Sequence, residues 1–129
     1  MAKVRSLHKY IDKVSKLPIR RIIYNKSYPD TFTIYFQTDQ ELVLSADGDC
    51  CSHNSFSIFN ENIEGIQNKY IKEITYETNY EYVPVYNYGC DEQYIVNINF
   101  TDNTTYEFYF DHSCNGYYSG WIDSEFIDC

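Results

Sequence analysis

A chain of 129 residues, 43% of them hydrophobic, is long enough for one domain with its own core. Its net charge of −9 argues against a body that binds nucleic acid, because a surface of that sign repels phosphate. Five cysteines cannot all pair within one chain, and no apolar run approaches the roughly 20 residues that cross a bilayer, so a reduced, cytoplasmic protein without a membrane span is expected.

The charge is unevenly spread. Residues 1–28 hold eight of the ten Lys and Arg against the single acid Asp12, a balance of +7; residues 29–129 hold Lys69 and Lys72 against eighteen acids, a balance of −16. Two regions follow: a basic N-terminal helix and linker over 1–28, and an acidic β-rich domain over 29–129. Nucleic acid is disfavoured except through 1–28. In "KVRSLHKYIDKVSKL" (3–17), Val4, Leu7, Ile11 and Val14 recur at steps of three and four. That spacing predicts an amphipathic helix packed on a sheet, ended by Pro18.

From residue 19 the period changes. "TFTIYFQ" alternates Phe32, Ile34 and Phe36 with Thr31, Thr33 and Tyr35, "TDQ" (38–40) turns, and Leu42 and Leu44 line a returning strand. "KYIKEITYE" (69–77) reads as a middle strand with Ile74 in line with Tyr70 and Tyr76. "QYIVNINF" then places Tyr94, Val96, Ile98 and Phe100 on one face, "TDNT" (101–104) turns, and Tyr106, Phe108 and Phe110 return. Twelve residues separate Asp39 from Cys51, and also Asp102 from Cys114, so the hairpins read as a duplication that brings two Cys- and His-bearing corners together. With 19% aromatic residues and few alanines, the expected fold is α+β and mostly β: a twisted antiparallel sheet of about six strands, built from two related hairpins, with the N-terminal helix packed on it.

Two segments carry candidate sites. "YETNYEYVPVYNYGC" (76–90) spaces Tyr80, Tyr82, Tyr86 and Tyr88 evenly around Pro84, which confines it to a sheet edge or an excursion. Tyrosine there combines apolar area with a polar tip and suits a binding face. "NGYYSGW" (115–121) adds Asn115, Tyr117 and Tyr118 at a second corner. "LSADGDCCSHNSF" (44–56) admits three readings: a structural corner, a metal site, or a thiol nucleophile. Neighbours on an extended chain point to opposite faces, so Cys51 pairs with His53 and His112 with Cys114, giving a Cys-Cys-His-His zinc set. Its spacing is tighter than the usual zinc knuckle. A cysteine nucleophile needs a lowered thiol pKa, which acidic surroundings oppose. "DGD" (47–49) lacks the spacing of a calcium loop and reads as a glycine turn.

"ADGDCCSHNSF", "IEGIQNKYIKEI" and "FTDNTTYEFYFDHSCNGYYSGW" resemble a family of small uncharacterised proteins of phages, bacteria and large DNA viruses. Its members share a Gly-Asp-Cys-Cys-Ser corner and an Asn-Gly-Tyr-Tyr-Gly-Gly corner in a β-rich domain. Here the first motif is intact at 48–52, and the second, at 115–120, has Ser119 in place of a glycine. The resemblance covers about residues 30–122. It implies the β fold, a viral or phage source and structural roles for Cys50 and Cys51, but no reaction. A non-enzymatic protein is expected, tyrosine-rich and acting without a cofactor on a host or viral partner protein, or on itself. The alternatives are a small-ligand-binding or sequestering protein or small enzyme with a pocket at the two corners, and a zinc-stabilised structural module.

Overall fold

The computed structural model describes residues 2–49, 52–58, 64–82, 92–113 and 119–128. These form nine strands: β1 (Ala2–Lys3), β2 (Ile19–Asn25), β3 (Thr31–Phe36), β4 (Glu41–Gly48), β5 (His53–Ser57), β6 (Ile71–Thr78), β7 (Glu92–Phe100), β8 (Thr105–Ser113) and β9 (Gly120–Ile127). Among the described residues, helical structure is confined to one four-residue helix, α1 (Ile11–Val14), and the 3-10 turns Leu7–Lys9 and Glu64–Ile66.

The strands make two antiparallel sheets, ordered β1-β6-β7-β8-β5 and β2-β3-β4-β9. This corrects the single six-stranded sheet. Both expected hairpins form, β3–β4 and β7–β8, but they lie in opposite layers. Their inward faces meet: Phe32 of β3 lies 4.0 Å from Phe108 of β8 between ring centroids, and Phe56 of β5 packs edge-on to Phe108 at 5.3 Å. Phe32, Phe108 and Phe110 are almost fully enclosed. Each such ring contributes about 1.5–3 kcal/mol by leaving water.

The long N-terminal helix is also corrected. Ser6 has a left-handed φ of 66°, which a continuing helix cannot contain. Before it, Ala2 and Lys3 pair with Tyr76 and Thr75 of β6, and Arg5 bridges to Asp123 of β9. Unpaired edge strands of both layers thus recruit the backbone that a short helix would hold only marginally. The apolar stripe still faces inward, with Val4, Leu7 and Val14 buried and Ile11 half-buried.

The two hairpin turns have the same design. Asp39 and Asn103 take positive φ (70° and 68°), and Phe36 and Phe100 each accept a bond from those residues and donate one to the carbonyls of Gln40 and Thr104. Their structural equivalence offsets the two hairpins by one residue from the Asp39–Asp102 alignment. A bulge between Ile71 and Glu73 shifts β6, so Ile71, Ile74 and Tyr76 point inward while Tyr70 is 40% exposed rather than in line with them.

Candidate functional site at the motif end of the sandwich

Strand direction decides where the two motifs go. β4 ends at Gly48 and β9 begins at Gly120, and these glycines are direct partners. β5 begins at His53 and β8 ends at Ser113, also partners, with Asn54 opposite His112 on the next rung. The glycine–glycine rung that ends one layer therefore abuts the Asn54–His112 rung, one in from the end of the other. A Cβ on Gly120 would fall 2.2 Å from Asn54 Oδ1 and 2.4 Å from His112 Nδ1; one on Gly48 would fall 2.3 Å from Asn54 Nδ2 and 2.8 Å from the Ser119 carbonyl oxygen. Only glycine allows polar side chains of one sheet to rest on the backbone of the other here.

A chain of bonds fixes the contact. Asn54 Oδ1 meets His112 Nδ1 at 2.7 Å, and Asn54 Nδ2 donates to Ser52 Oγ at 2.9 Å. The Ser52 hydroxyl donates to the Asp49 carbonyl at 2.7 Å. Asp49 and Ser119 exchange two bonds: the Asp49 amide donates to the Ser119 carbonyl, and the Ser119 amide donates to Asp49 Oδ2, both at 2.9 Å. Among the described residues of the two motifs, Asp49, Ser52 and Ser119 belong to this network, and Gly48 and Gly120 are the backbone it rests on. Ser52 and His112 are buried, as such a network requires of groups that must find partners inside the protein.

A second polar tie crosses the layers nearby. Asp30, 4% exposed, accepts from the amides of Phe56 (3.0 Å) and Ser27 (3.1 Å) and from the Tyr24 hydroxyl (3.1 Å). The Tyr24 hydroxyl also meets the Phe56 carbonyl at 2.9 Å. Burial, reinforced by the Asp30 carboxylate, pushes the Tyr24 phenol up to about 12. Between this tie and the motif network lies a cavity of about 210 Å³ lined by Tyr28, Pro29, Ala46, Asp47, Gly48, Asp49, Ser52 and Asn54.

Of the residues singled out from sequence, Tyr80 is 92% exposed in the turn after β6, at this same end, and Tyr82 is half-buried. His53 and His112 sit on neighbouring strands, but His53 shares its rung with Ser113 and points outward, whereas His112 points between the layers. Cys51, Cys114, Tyr86, Tyr88, Asn115, Tyr117 and Tyr118 lie outside the described residues. Among the described residues no three His, Cys, Asp or Glu side chains group to hold a metal, and no helix is long and apolar enough to cross a membrane. Sequence reasoning missed Tyr28, which is 98% exposed beside the cavity. Its signal was "SYPD", a tyrosine held in a proline turn. Asn54 was missed too, its role being visible only across the sheets.

The chain is 34% identical over 109 residues to the uncharacterized protein L278 of Acanthamoeba polyphaga mimivirus, covering 84% of this chain and 86% of that protein. It belongs to that protein's family. The matched span is long enough to include most of the sandwich, so the giant-virus relative shares the β-rich domain and not one short motif. No family model matches the chain, and no solved structure matches it.

Proposed function

We propose that this is a non-enzymatic binding protein, encoded by a virus or a phage, that holds a basic segment of a host or viral partner protein at the motif end of the sandwich. The observation that carries the reading is the exposure of Tyr28 (98%) and Tyr80 (92%) at the end where Asp47, Asp49, Glu81 and Glu92 are also exposed, with Lys26 and, over Trp121, Arg5 as the described cations there. Exposed tyrosines lose little conformational freedom on contact and contribute large area, and carboxylates around them select a cationic partner and speed its approach. The network beneath, from Asp49 to His112, makes this surface a fixed platform, which lowers the ordering cost of binding. The cavity beside Tyr28 favours a second, smaller reading: at about 210 Å³ it admits a side chain of the partner or a small polar molecule.

The test is capture from infected-cell lysate on immobilised protein, compared with a Tyr28→Ser/Tyr80→Ser variant and read by native mass spectrometry. The expected result is a partner retained by the parent at low salt, weakened by added salt and lost from the variant. Equal retention by parent and variant contradicts the proposal.

A further inference from the structure

The outer faces of the two sheets differ in charge order. On the five-stranded sheet the outward positions carry the carboxylates Glu73, Glu77, Glu107 and Asp111, with Lys72 exposed at the bulge beside Glu73. On the four-stranded sheet the outward rungs run Arg21–Tyr35–Glu41–Ile127 and Ile23–Thr33–Val43–Glu125, so the β2 margin carries a cation in one rung and the β9 margin an anion in the next, with Glu41 between them on β4. A bulge between Ile19 and Arg21 inserts one extra residue, and it brings two consecutive arginines to the same side. The guanidinium carbons of Arg20 and Arg21 lie 5.7 Å and 5.0 Å from the centroid of the half-exposed Tyr35 ring. Arg20 also reaches Asp39 at 3.3 Å, while Arg21 is exposed with no carboxylate of the described residues within ion-pair distance. At the far margin Glu125 is exposed, and Asp123 lies beside Arg5, which stacks on Trp121 at 3.8 Å.

We infer that this face pairs two copies of the chain about a twofold axis parallel to its strands. Such an axis turns one sheet over and lays β2 of each copy across β9 of the other, so the cationic margin meets the anionic margin twice. Thr33 and Val43 then meet Val43 and Thr33 of the other copy at the centre, away from water, with Ile23 at the margin against the other copy's Glu125 and Arg21 one rung from that carboxylate. Pairing through the five-stranded sheet instead would set carboxylates against carboxylates. Four strands and about seven residues per strand give a footprint of roughly 20 by 25 Å. That is below the roughly 800 Å² per partner of a standard interface, so the charged margins are needed to hold the pair and the dimer is salt-sensitive. This surface is separate from the motif end, and the dimer stands or falls independently of the proposed partner.

The test is light scattering after size exclusion on the parent, Arg21→Glu and Glu125→Arg, each alone and the two variants mixed. Both substituted side chains are exposed, and circular dichroism checks that each variant is folded. The parent is expected to dimerise at low salt and to dissociate as salt is added. Each variant alone is expected to dimerise at least about tenfold more weakly, because the axis repeats the like-charge contact. The mixture is expected to recover a dimer containing one copy of each, since both margins are then complementary. A monomeric parent, variants that dimerise like the parent, or a mixture that stays monomeric overturns the inference. So does nucleic acid binding at Arg20 and Arg21 without any change in mass of the protein assembly.

Discussion

At one end of the sandwich the chain reverses through two short turns, each closed by bonds between residues at most four apart, such as Phe36 with Gln40 and Phe100 with Thr104, and the segment around Asn68 and Lys69 ties them to Ile19, Gln37 and Asp102. At the other, the bonds that close the structure join Asn54 to His112 and Asp49 to Ser119, which are 58 and 70 residues apart in sequence. Those turns form wherever two alternating strands flank a residue that tolerates positive φ. The second exists only when both sheets are in register and meet at the right spacing. The difference explains why the distinctive motifs gather at one end: local turns accept many residues, whereas a polar contact across two layers needs glycine on one side and matched donors and acceptors on the other. It also makes the motif end a candidate surface, since a platform fixed by long-range bonds holds its exposed groups in place.

Substitutions at the two ends should separate in size. The largest loss is expected from Asp30→Ala, which strands the buried Phe56 amide, frees the Ser27 amide and leaves the Tyr24 hydroxyl only the Phe56 carbonyl; about 3–4 kcal/mol of stability should go, measured by urea unfolding. Gly120→Ala comes next, at about 2–3 kcal/mol, because its methyl group must displace Asn54 and His112. An unchanged unfolding midpoint for this variant would mean that the layers do not touch there. Asn54→Ala removes the link between Ser52 and His112 and should cost about 1–2 kcal/mol.

The hairpin end should respond least, and through pH. Hydrogen bonds from the Thr104 hydroxyl and amide, then the nearby Lys69 ammonium, hold the Asp102 carboxyl down at about 2. A depressed folded-state pKa stabilises above the ordinary carboxylate value and loses that contribution as pH falls through the depressed one. Thermal melts of the parent should therefore fall slightly more steeply between pH about 4 and about 2 than those of Asp102→Asn. Because Asp102 is exposed, the effect is small, and high salt should reduce the part due to Lys69.

The strands that alternate cleanly were legible from sequence: Phe32, Ile34 and Phe36 face the core as their spacing predicts, and so do Val96, Ile98 and Phe100. The division into two layers was not, because a half-buried strand has the same pattern whichever sheet it joins. β2 was hidden by its bulge at Arg20. β9 was hidden by Ser124, a polar residue at an inward position whose hydroxyl donates to the Arg5 carbonyl at 2.6 Å. The N-terminal stripe named the right buried side chains but not the backbone, since the edges that claim Ala2–Arg5 belong to β6 and β9, about 70 and 120 residues further along. At the motif end, Gly48 and Ser119 stood within the quoted motifs, yet their contact depends on register across β4 and β9.

The contact between Gly120 and the His112 ring tests all of this most directly. In a carbon-edited NOESY spectrum of labelled protein, the Gly120 α-protons should show strong cross-peaks to the His112 imidazole protons, with the Asn54 side-chain amide protons close to Gly48. Assigned His112 ring protons with no cross-peak to Gly120 would contradict the convergence of the two sheets at their motif-bearing end.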